Sequence, residues 1–259
     1  MTLRLYGRVF IAGDVVVKTG LHIGGSGGAF AIGGVDNPVI FDQLTRQPYI
    51  PGSSLRGKMR SLTEKYLGQV TGQRISQIEI HSCRKDRDNY AGCPICNIYG
   101  ITAEDFNHPT RLVVSDITLR ADSAERLQAA KTSLPYTEVK TEVTIDRVTS
   151  QATPRDVERV PAGAVFGPME LVYSIYEAKD VNWLSVLLDG MELLQDDYLG
   201  GLGSRGSGKI VFENLVLTLK CADSYRHPIL LGEFTTLDEL SHQSAAIIER
   251  VWSELQDGT

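Results

Sequence analysis

Four residues between positions 81 and 96 have the types and spacing of a metal site. His81-Ser-Cys83 is followed by Cys93-Pro-Ile-Cys96. An H-x-C pair and a C-x-x-C knuckle supply one imidazole and three thiols, a donor set that suits zinc. Four protein ligands close the tetrahedron and leave no position for water, so the expected role is structural. His108 stands in reserve as fourth ligand, and the alternative is a group of buried free thiols. Cys221 falls in a strand pattern and reads as core. Three clustered cysteines and one lone one are not a disulfide framework, which fits a reducing cytoplasm.

A second chemistry is carried by Asp36 and His22. Residues 24 to 34 hold six glycines in eleven positions, and Asp36-Asn-Pro follows directly. Such a segment has high backbone freedom unless a partner orders it. Asp-Asn-Pro is turn chemistry, and Asp42 has the same simple explanation. A carboxylate can instead act as a general base or help hold a divalent ion. His22 lies fourteen residues before Asp36, at the other end of the glycine run. It fits a core residue, a phosphate contact or an acid–base partner, and spacing alone does not choose.

Two further stretches could hold an anion. The helix expected over 53–67 presents unpaired N–H groups and a positive dipole end at its start. Ser53 or Ser54 is its expected N-cap. Leu55, Met59, Leu62 and Tyr66 form the apolar stripe, and Arg56 and Arg60 share one flank. The alternative is a capped helix with a solvated charged flank. The loop 200–208 contains Gly201-Leu-Gly203-Ser-Arg-Gly206, a literal G-x-G-x-x-G. A helix precedes it and a strand follows, which is the wrong context for a dinucleotide fold. From Gly203 to Lys209 it nearly matches a Walker A loop, but Ile210 stands where a hydroxyl should hold magnesium. Backbone N–H groups freed by glycine, with Arg205 and Lys209, still suit a phosphate chain; a flexible connector is the alternative.

The elements that must position these groups follow from periodicity. Residues 3–17, 111–120 and 169–177 read as strands, as does IVFENLVLTLK from 210. Residues 137–166 read as a long hairpin arm, with TSQATPRD as its turn. Asp180 caps a helix whose face is Trp183, Leu187, Met191 and Leu194. Thr236-Leu-Asp-Glu239 is a capping box opening a last helix through Leu255. Residues 81–108 lack periodicity and read as an insertion. The order of strands and helices is α+β and suits a ferredoxin-like core with large insertions.

Composition narrows the function. With 259 residues, 42% of them hydrophobic, the chain can bury a substantial core. No run of about 18 apolar residues occurs, so no membrane-spanning helix is expected, and the first residues do not form a secretory signal. A net charge of -6 counts against a free-standing nucleic-acid binder, though not against a local basic track.

Taken together, several motifs resemble the RAMP superfamily. They are His22 before the glycine run, I-G-G-V-D-N-P-V from 32, P-Y-I-P-G-S-S-L-R-G-K-M-R from 48, P-T-R-L from 109, T-E-V-K-T-E-V-T-I-D-R from 137 and G-L-G-S-R-G-S-G-K from 201. The likeness runs from about 5 to 220 and is nearest to backbone subunits of type III CRISPR effector complexes, of the Csm (subtype III-A) kind. It implies one RAMP domain over 1–259: an RNA-recognition-motif-like palm over about 1–80, 109–136 and 167–259, a zinc-bearing insertion over 81–108 and a thumb hairpin over 137–166. Copies would stack in a filament along a CRISPR RNA, beside other type III subunits, and cut complementary target RNA at regular intervals. Cutting would be metal-dependent transesterification, using a divalent cation such as Mg or Mn. The resemblance makes Asp36 catalytic and His81, Cys83, Cys93 and Cys96 the zinc ligands. His22, Ser53, Ser54, Arg56, Lys58, Arg60, Gly203, Ser204, Arg205, Gly206 and Lys209 become RNA contacts. A prokaryotic, cytoplasmic protein with no membrane partner is implied. Two rivals differ in chemistry. One is a purely structural guide-binding subunit. The other is a RAMP nuclease that processes repeat RNA without metal, against which the D-N-P loop and the knuckle argue.

Overall fold

A computed structural model describes residues 3–25, 37–69, 73–75, 78–101, 109–130 and 132–256. Among them the chain runs through β1 (Gly7–Val17), β2 (Tyr49–Ile50), α1 (Gly52–Tyr66), β3 (Gln73–Ile75), β4 (Ile78–Ile80), α2 (Arg87–Gly92) and α3 (Pro94–Tyr99). It continues through β5 (Leu112–Val114), β6 (Ile117–Thr118), α4 (Ala121–Ala129), β7 (Glu138–Ile145), β8 (Ala152–Arg159) and β9 (Val165–Ile175). The last elements are α5 (Ala178–Asn182), α6 (Leu184–Asp196), β10 (Ile210–Cys221), β11 (Ile229–Thr236), α7 (Leu237–His242) and α8 (Ser244–Gln256).

Five strands form one antiparallel sheet in the order β11-β10-β1-β9-β5. Setting β11 aside, the chain makes strand, helix, strand, strand, helix, strand from β1, α1, β5, β9, α6 and β10. In space the fourth lies beside the first, then the third, then the second. Along β1 and β10, fully buried residues alternate with half-exposed ones, the pattern of a sheet packed on one face. Helices α1 and α6 pack on each other, α1 also meets β5, α6 meets β10 and α8 meets β11. Each buried leucine or methionine of this layer, such as Leu55, Met59 or Leu187, contributes about 1.5–3 kcal/mol on leaving water. At Asp14 the pairing of β1 slips against both neighbours. The bulge aims the carboxylate at Arg120 (2.9 Å) and Asn214 (3.0 Å).

Helix α1 departs from expectation at both ends. It begins at Gly52 with Pro51 as N-cap and no side-chain cap, so neither Ser53 nor Ser54 caps it. The reason is steric: a Cβ at Gly52 would sit 2.3 Å from the carbonyl oxygen of Val114. Only glycine lets the helix start against β5. The buried row is Leu55, Met59 and Thr63, with Leu62 partly buried, while Tyr66 is 61% exposed. A step of four residues keeps that row facing α6. There Gly190 admits the Thr63 hydroxyl, which donates to Met59 O at 2.8 Å.

Other expectations need similar correction. The first strand starts at Gly7 rather than 3, and the third begins at Val165. Residues 111–120 form two short strands separated at Ser115-Asp116. The arm is a hairpin of β7 and β8, but its turn is Asp146–Gln151, and Pro154 lies within β8. Pro154 is tolerated because, at that position, the described partner of β8 is β7 alone; its other side meets Asn37 only further on, at Val157. Glu177, not Asp180, caps the helix after β9. Asp180 is the third residue of that capping box, and the helix breaks at Trp183. The final helix breaks at Gln243. Residues 87–99, within the stretch read as an insertion without periodicity, form α2 and α3 and send Ile95, Ile98 and Tyr99 into the core. β11 and α4 were not expected at all. No described helix is long and apolar enough to cross a membrane.

Candidate nucleic-acid interface and metal knuckle

The metal knuckle is assembled as its spacing predicts. The turn before α3 and the end of β4 bring one ligand atom each from His81, Cys83, Cys93 and Cys96 within 4.8 Å of one another. His81 Nε2 lies 3.2 Å from Cys93 Sγ and 3.4 Å from Cys83 Sγ. Backbone N–H groups of Cys83 and Cys96 point at sulfur, at 3.3 Å and 3.5 Å. The hydrogen bond from Cys96 draws the Cys93 thiol down to about 5, while burial pushes Cys83 up to about 11. Cys96 is raised too, first by donating its proton to Cys93. One thiolate therefore forms readily, and a cation must supply the energy to ionise the others. One nitrogen and three sulfurs in a tight, mostly buried group fit a metal such as zinc. His108 lies outside the described residues.

Arg56 and Arg60 turn toward this knuckle. Arg60 donates to Gly100 O (3.0 Å) and His81 O (2.7 Å) and pairs with Glu64 (2.7 Å). Arg56 donates to Tyr99 O. Burial, then the charge of Arg60, lowers the Arg56 guanidinium below its usual value. Both arginines thus tie α1 to the carbonyls that flank the ligands. The flank pictured in sequence as free to meet RNA is largely engaged within the chain. At the start of α1, Asp116 accepts from the Gly52 N–H at 2.7 Å, and Pro51 O accepts from Ser54 and Leu55. Of the first four N–H groups, that of exposed Ser53 alone lacks a partner among the described residues.

Lys58 leads to the other side. Its ammonium pairs with Asp197 at 2.8 Å and sits 3.6 Å from the centre of the Tyr198 ring. Gly203 lies on the same ring, so tightly that a Cβ would fall 2.0 Å from it. Gly208, at φ +85, has Leu199 O where a Cβ would be. This loop is not a slack connector. Gly201 and Gly208 donate to the carbonyls of His22 and Gly20, at 2.8 Å and 3.0 Å. The packing leaves Ser204, Arg205 and Gly206 exposed at the tip. Arg205 reaches Glu142 on β7 at 2.7 Å, and Lys209 donates to Asp196 O at 3.2 Å.

His22 joins the loop to the base of the hairpin. Its Nδ1 donates to Glu158 O at 2.7 Å, which leaves Nε2 for another partner. Glu158 is 4% exposed and has four bonds. Its carboxylate accepts from Val39 N–H (2.9 Å) and Thr137 Oγ1 (2.5 Å), and its own N–H donates to Asn37 O (3.2 Å). Asp36 lies outside the described residues, but the residue after it is pinned here. The structure therefore brings His22, Asn37, the glycine loop and the hairpin base to one place. It sets Arg56 and Arg60 apart, on the knuckle side of α1. Sequence reasoning missed Glu158, Glu142 and Tyr198. Glu158 sits in V-E-R-V, where nothing in the pattern marks it as buried.

Comparison with known proteins gives this arrangement a family. Residues 14–211 match the model described as the RAMP superfamily. A "CRISPR system Cms endoribonuclease Csm3" from Methanothermobacter thermautotrophicus is 36% identical over 255 residues, covering 92% of this chain and 98% of that one. The protein of that name from Mycobacterium tuberculosis is 34% identical over 256 residues, covering 93% and 98%. Among solved structures, Csm3 in a Csm3–Csm4 subcomplex of the type III-A interference complex has TM-score 0.59 at 27% identity, over 94% of this chain and 98% of that one. Methanopyrus kandleri Csm3 has TM-score 0.66 at 17% identity, covering 95% and 98%, and shares the fold. The chain belongs to the RAMP superfamily, among the Csm3 proteins.

Proposed function

We propose that this protein is the guide-RNA-binding backbone subunit of a type III CRISPR effector complex and an endoribonuclease that cuts RNA paired with the guide. The observation that carries this is the meeting of Asn37, His22 and the glycine loop at the base of the β7–β8 hairpin. We read β1, α1, β5, β9, α6 and β10 as a ferredoxin-like palm, β7–β8 as its thumb and residues 81–108 as the zinc-bearing insertion. Copies would stack along the guide, each thumb reaching over a neighbour. The tip at Ser204, Arg205 and Gly206, with Ser53, Lys58 and Lys209, would hold the RNA backbone. Such contacts carry no sequence information, so any guide fits. Arg56 and Arg60 would support that surface from behind, through the knuckle. Zinc in the knuckle supplies fold rather than chemistry.

In the reaction, a 2′-hydroxyl of the target attacks the adjacent phosphorus and loses its proton. The 5′-oxygen leaves with a proton, giving a 2′,3′-cyclic phosphate and a 5′-hydroxyl. Asp36 is the assigned catalytic carboxylate, as base for the 2′-hydroxyl or as a ligand. A divalent cation, when bound, would neutralise charge building on the phosphate. His22 is held in one orientation by Glu158 O, which would leave Nε2 to meet the RNA. The test is Asp36→Ala in complexes assembled on guide RNA. Target binding should persist while cutting stops; cutting at the wild-type rate would remove Asp36 from the mechanism.

A further inference from the structure

The five-stranded sheet buries one face more deeply than the other. Val9, Ile11, Leu171, Leu217 and Leu219 point at the helices and are fully buried. Pairing across the sheet sets the residues between them in three cross-strand rows on the opposite face. The middle row runs Val113, Val172, Phe10, Thr218, Leu230, one residue from each strand. Its ends are open, with Val113 55% and Leu230 49% exposed, and the rest is half-buried. One neighbouring row is Ser174, Arg8 and Lys220. The other is Glu170, Ala12, Val216 and Glu233. A mostly apolar stripe thus crosses the whole sheet, with two cations along one side and two carboxylates along the other. An exposed apolar surface rimmed by polar groups is the mark of a contact surface.

The four charges are unmatched within the chain. Arg8 donates to Ser174 Oγ (3.2 Å) and Tyr225 Oη (3.1 Å), and the Lys220 ammonium lies 4.6 Å from the centre of the Phe10 ring. Among the described residues, none of Arg8, Lys220, Glu170 and Glu233 has an ion-pair partner. The charges next to them do: Arg4 pairs with Asp223, Lys18 with Glu213, and Arg120 with Asp14 and Asp122.

An apolar stripe between unmatched charges of opposite sign is complementary to itself. A second copy turned over about an axis along the stripe faces the first sheet to sheet. Stripe then meets stripe, and each basic row lies over the other copy's acidic row. Arg8 falls one strand away from the second copy's Glu170, and Lys220 one strand from its Glu233, an offset of about 4.8 Å that long side chains span. With β1 of the two copies running the same way, like charges would oppose instead. A nucleic acid matches the basic row but meets carboxylates along the other side of the same stripe.

We propose that the open face of the sheet is a self-docking surface, through which two RNA-free copies of this chain pair about a twofold axis along the Phe10 stripe. The pair is closed, unlike a stack along a guide, which joins two different surfaces. It stands apart from the RNA-binding reading, because none of these residues is assigned to the RNA.

Analytical ultracentrifugation of the purified, RNA-free chain tests the proposal. A reversible monomer–dimer equilibrium is expected, with a dissociation constant on the order of 10 µM, as suits a narrow stripe with exposed ion pairs. Glu170→Lys with Glu233→Lys sets cation against cation and should weaken pairing by roughly tenfold or more. Both positions are exposed and unpaired, so the fold survives the change. Adding Arg8→Glu and Lys220→Glu restores the complementarity and should bring the dimer back. A chain that stays monomeric at about 100 µM overturns the proposal. So does a dimer indifferent to the first two changes, or one that the second two fail to recover. A monomer whose affinity for single-stranded RNA falls with Arg8→Glu and Lys220→Glu would give the face to nucleic acid, and overturns it as well.

Discussion

Arg111, in the P-T-R-L motif, is fully buried, and every part of its guanidinium is matched. Nε donates to Asp180 at 3.1 Å, Nη1 to Pro109 O at 3.0 Å and Nη2 to Glu177 at 3.3 Å. Asp180 is equally buried and also accepts from the N–H groups of Tyr176 and Glu177. The pair joins β5 to the start of α5, so the motif is structural here. Asp180→Ala strands a buried cation and should cost about 3–5 kcal/mol in urea unfolding. Arg111→Met with Asp180→Leu should recover part of that loss, since no charge is then buried alone, while the N–H groups of Tyr176 and Glu177 still lose their acceptor. Two turns, Asp42–Gln47 and Asp146–Gln151, share the pattern Asp-x-apolar-Thr-x-Gln and an aspartate that accepts from the threonine N–H, and they make a second residue-scale prediction. Bonds from Thr45 lower Asp42 below 3.8, and bonds from Thr149 and Val148 lower Asp146 likewise. A depressed folded value means the turns are held above the unfolded pKa and loosen as pH falls through the lowered one. Amide shifts of Thr45 and Thr149 should move together below about pH 4, and independent titrations would separate the two turns.

At the scale of elements, the knuckle and α1 are one unit. Arg60 reaches the carbonyls of His81 and Gly100, and Arg56 that of Tyr99, while Ile95, Ile98 and Tyr99 fill the core beneath. A metal held by the knuckle would therefore steady α1 as well, and its loss would disturb both. Cys93→Ser should remove one equivalent of zinc and lower the melting temperature by roughly 6–12 °C, the effect of a loss near 3 kcal/mol at this size. A full complement of zinc after that change would displace Cys93 from the ligand set. The knuckle was legible in sequence because ligand spacing is local. So were the body of α1 and the Thr236 cap of α7, where a few neighbouring residues decide the geometry, although the caps of α1 and α5 were misplaced. The fate of Arg56 and Arg60 was not. They have the spacing of a free flank, and only the tertiary approach of Tyr99 and Gly100 engages them. The hairpin turn was misplaced for a similar reason. Thr149–Asp156 is rich in turn formers, yet the Asp146 carboxylate captures the turn three residues earlier. β11 was missed because its exposed and buried residues do not alternate cleanly.

For the whole molecule, the problem is how 32 acidic and 26 basic residues make an RNA-binding surface. In this structure Arg205 and Lys58, two of the cations assigned to the RNA under the proposed function, are already paired with the chain's own carboxylates. Glu142, with its side chain only 10% exposed, holds Lys140 (3.5 Å), Arg155 (3.0 Å) and Arg205 (2.7 Å). Asp197 does the same for Lys58. A phosphate arriving at Arg205 must take the place of Glu142, so it releases fewer counterions than it would from a bare arginine. Salt dependence of guide binding should thus be shallower than the number of phosphate contacts suggests. Glu142→Gln keeps the size of the side chain but removes its charge and leaves one accepting oxygen where there were two, which frees its cations. Each freed cation that meets a phosphate should steepen the log–log salt slope by about 0.7, with tighter binding at low salt. A filter-binding series from low to physiological salt measures both quantities. An unchanged slope with weaker binding would mean that Glu142 builds the arm rather than masking its charge. In the filament proposed above, the masking would have a use. An unmasked basic track on every copy would bind any RNA it met, whereas a self-paired one would yield only where the backbone is presented at the right spacing along several copies at once.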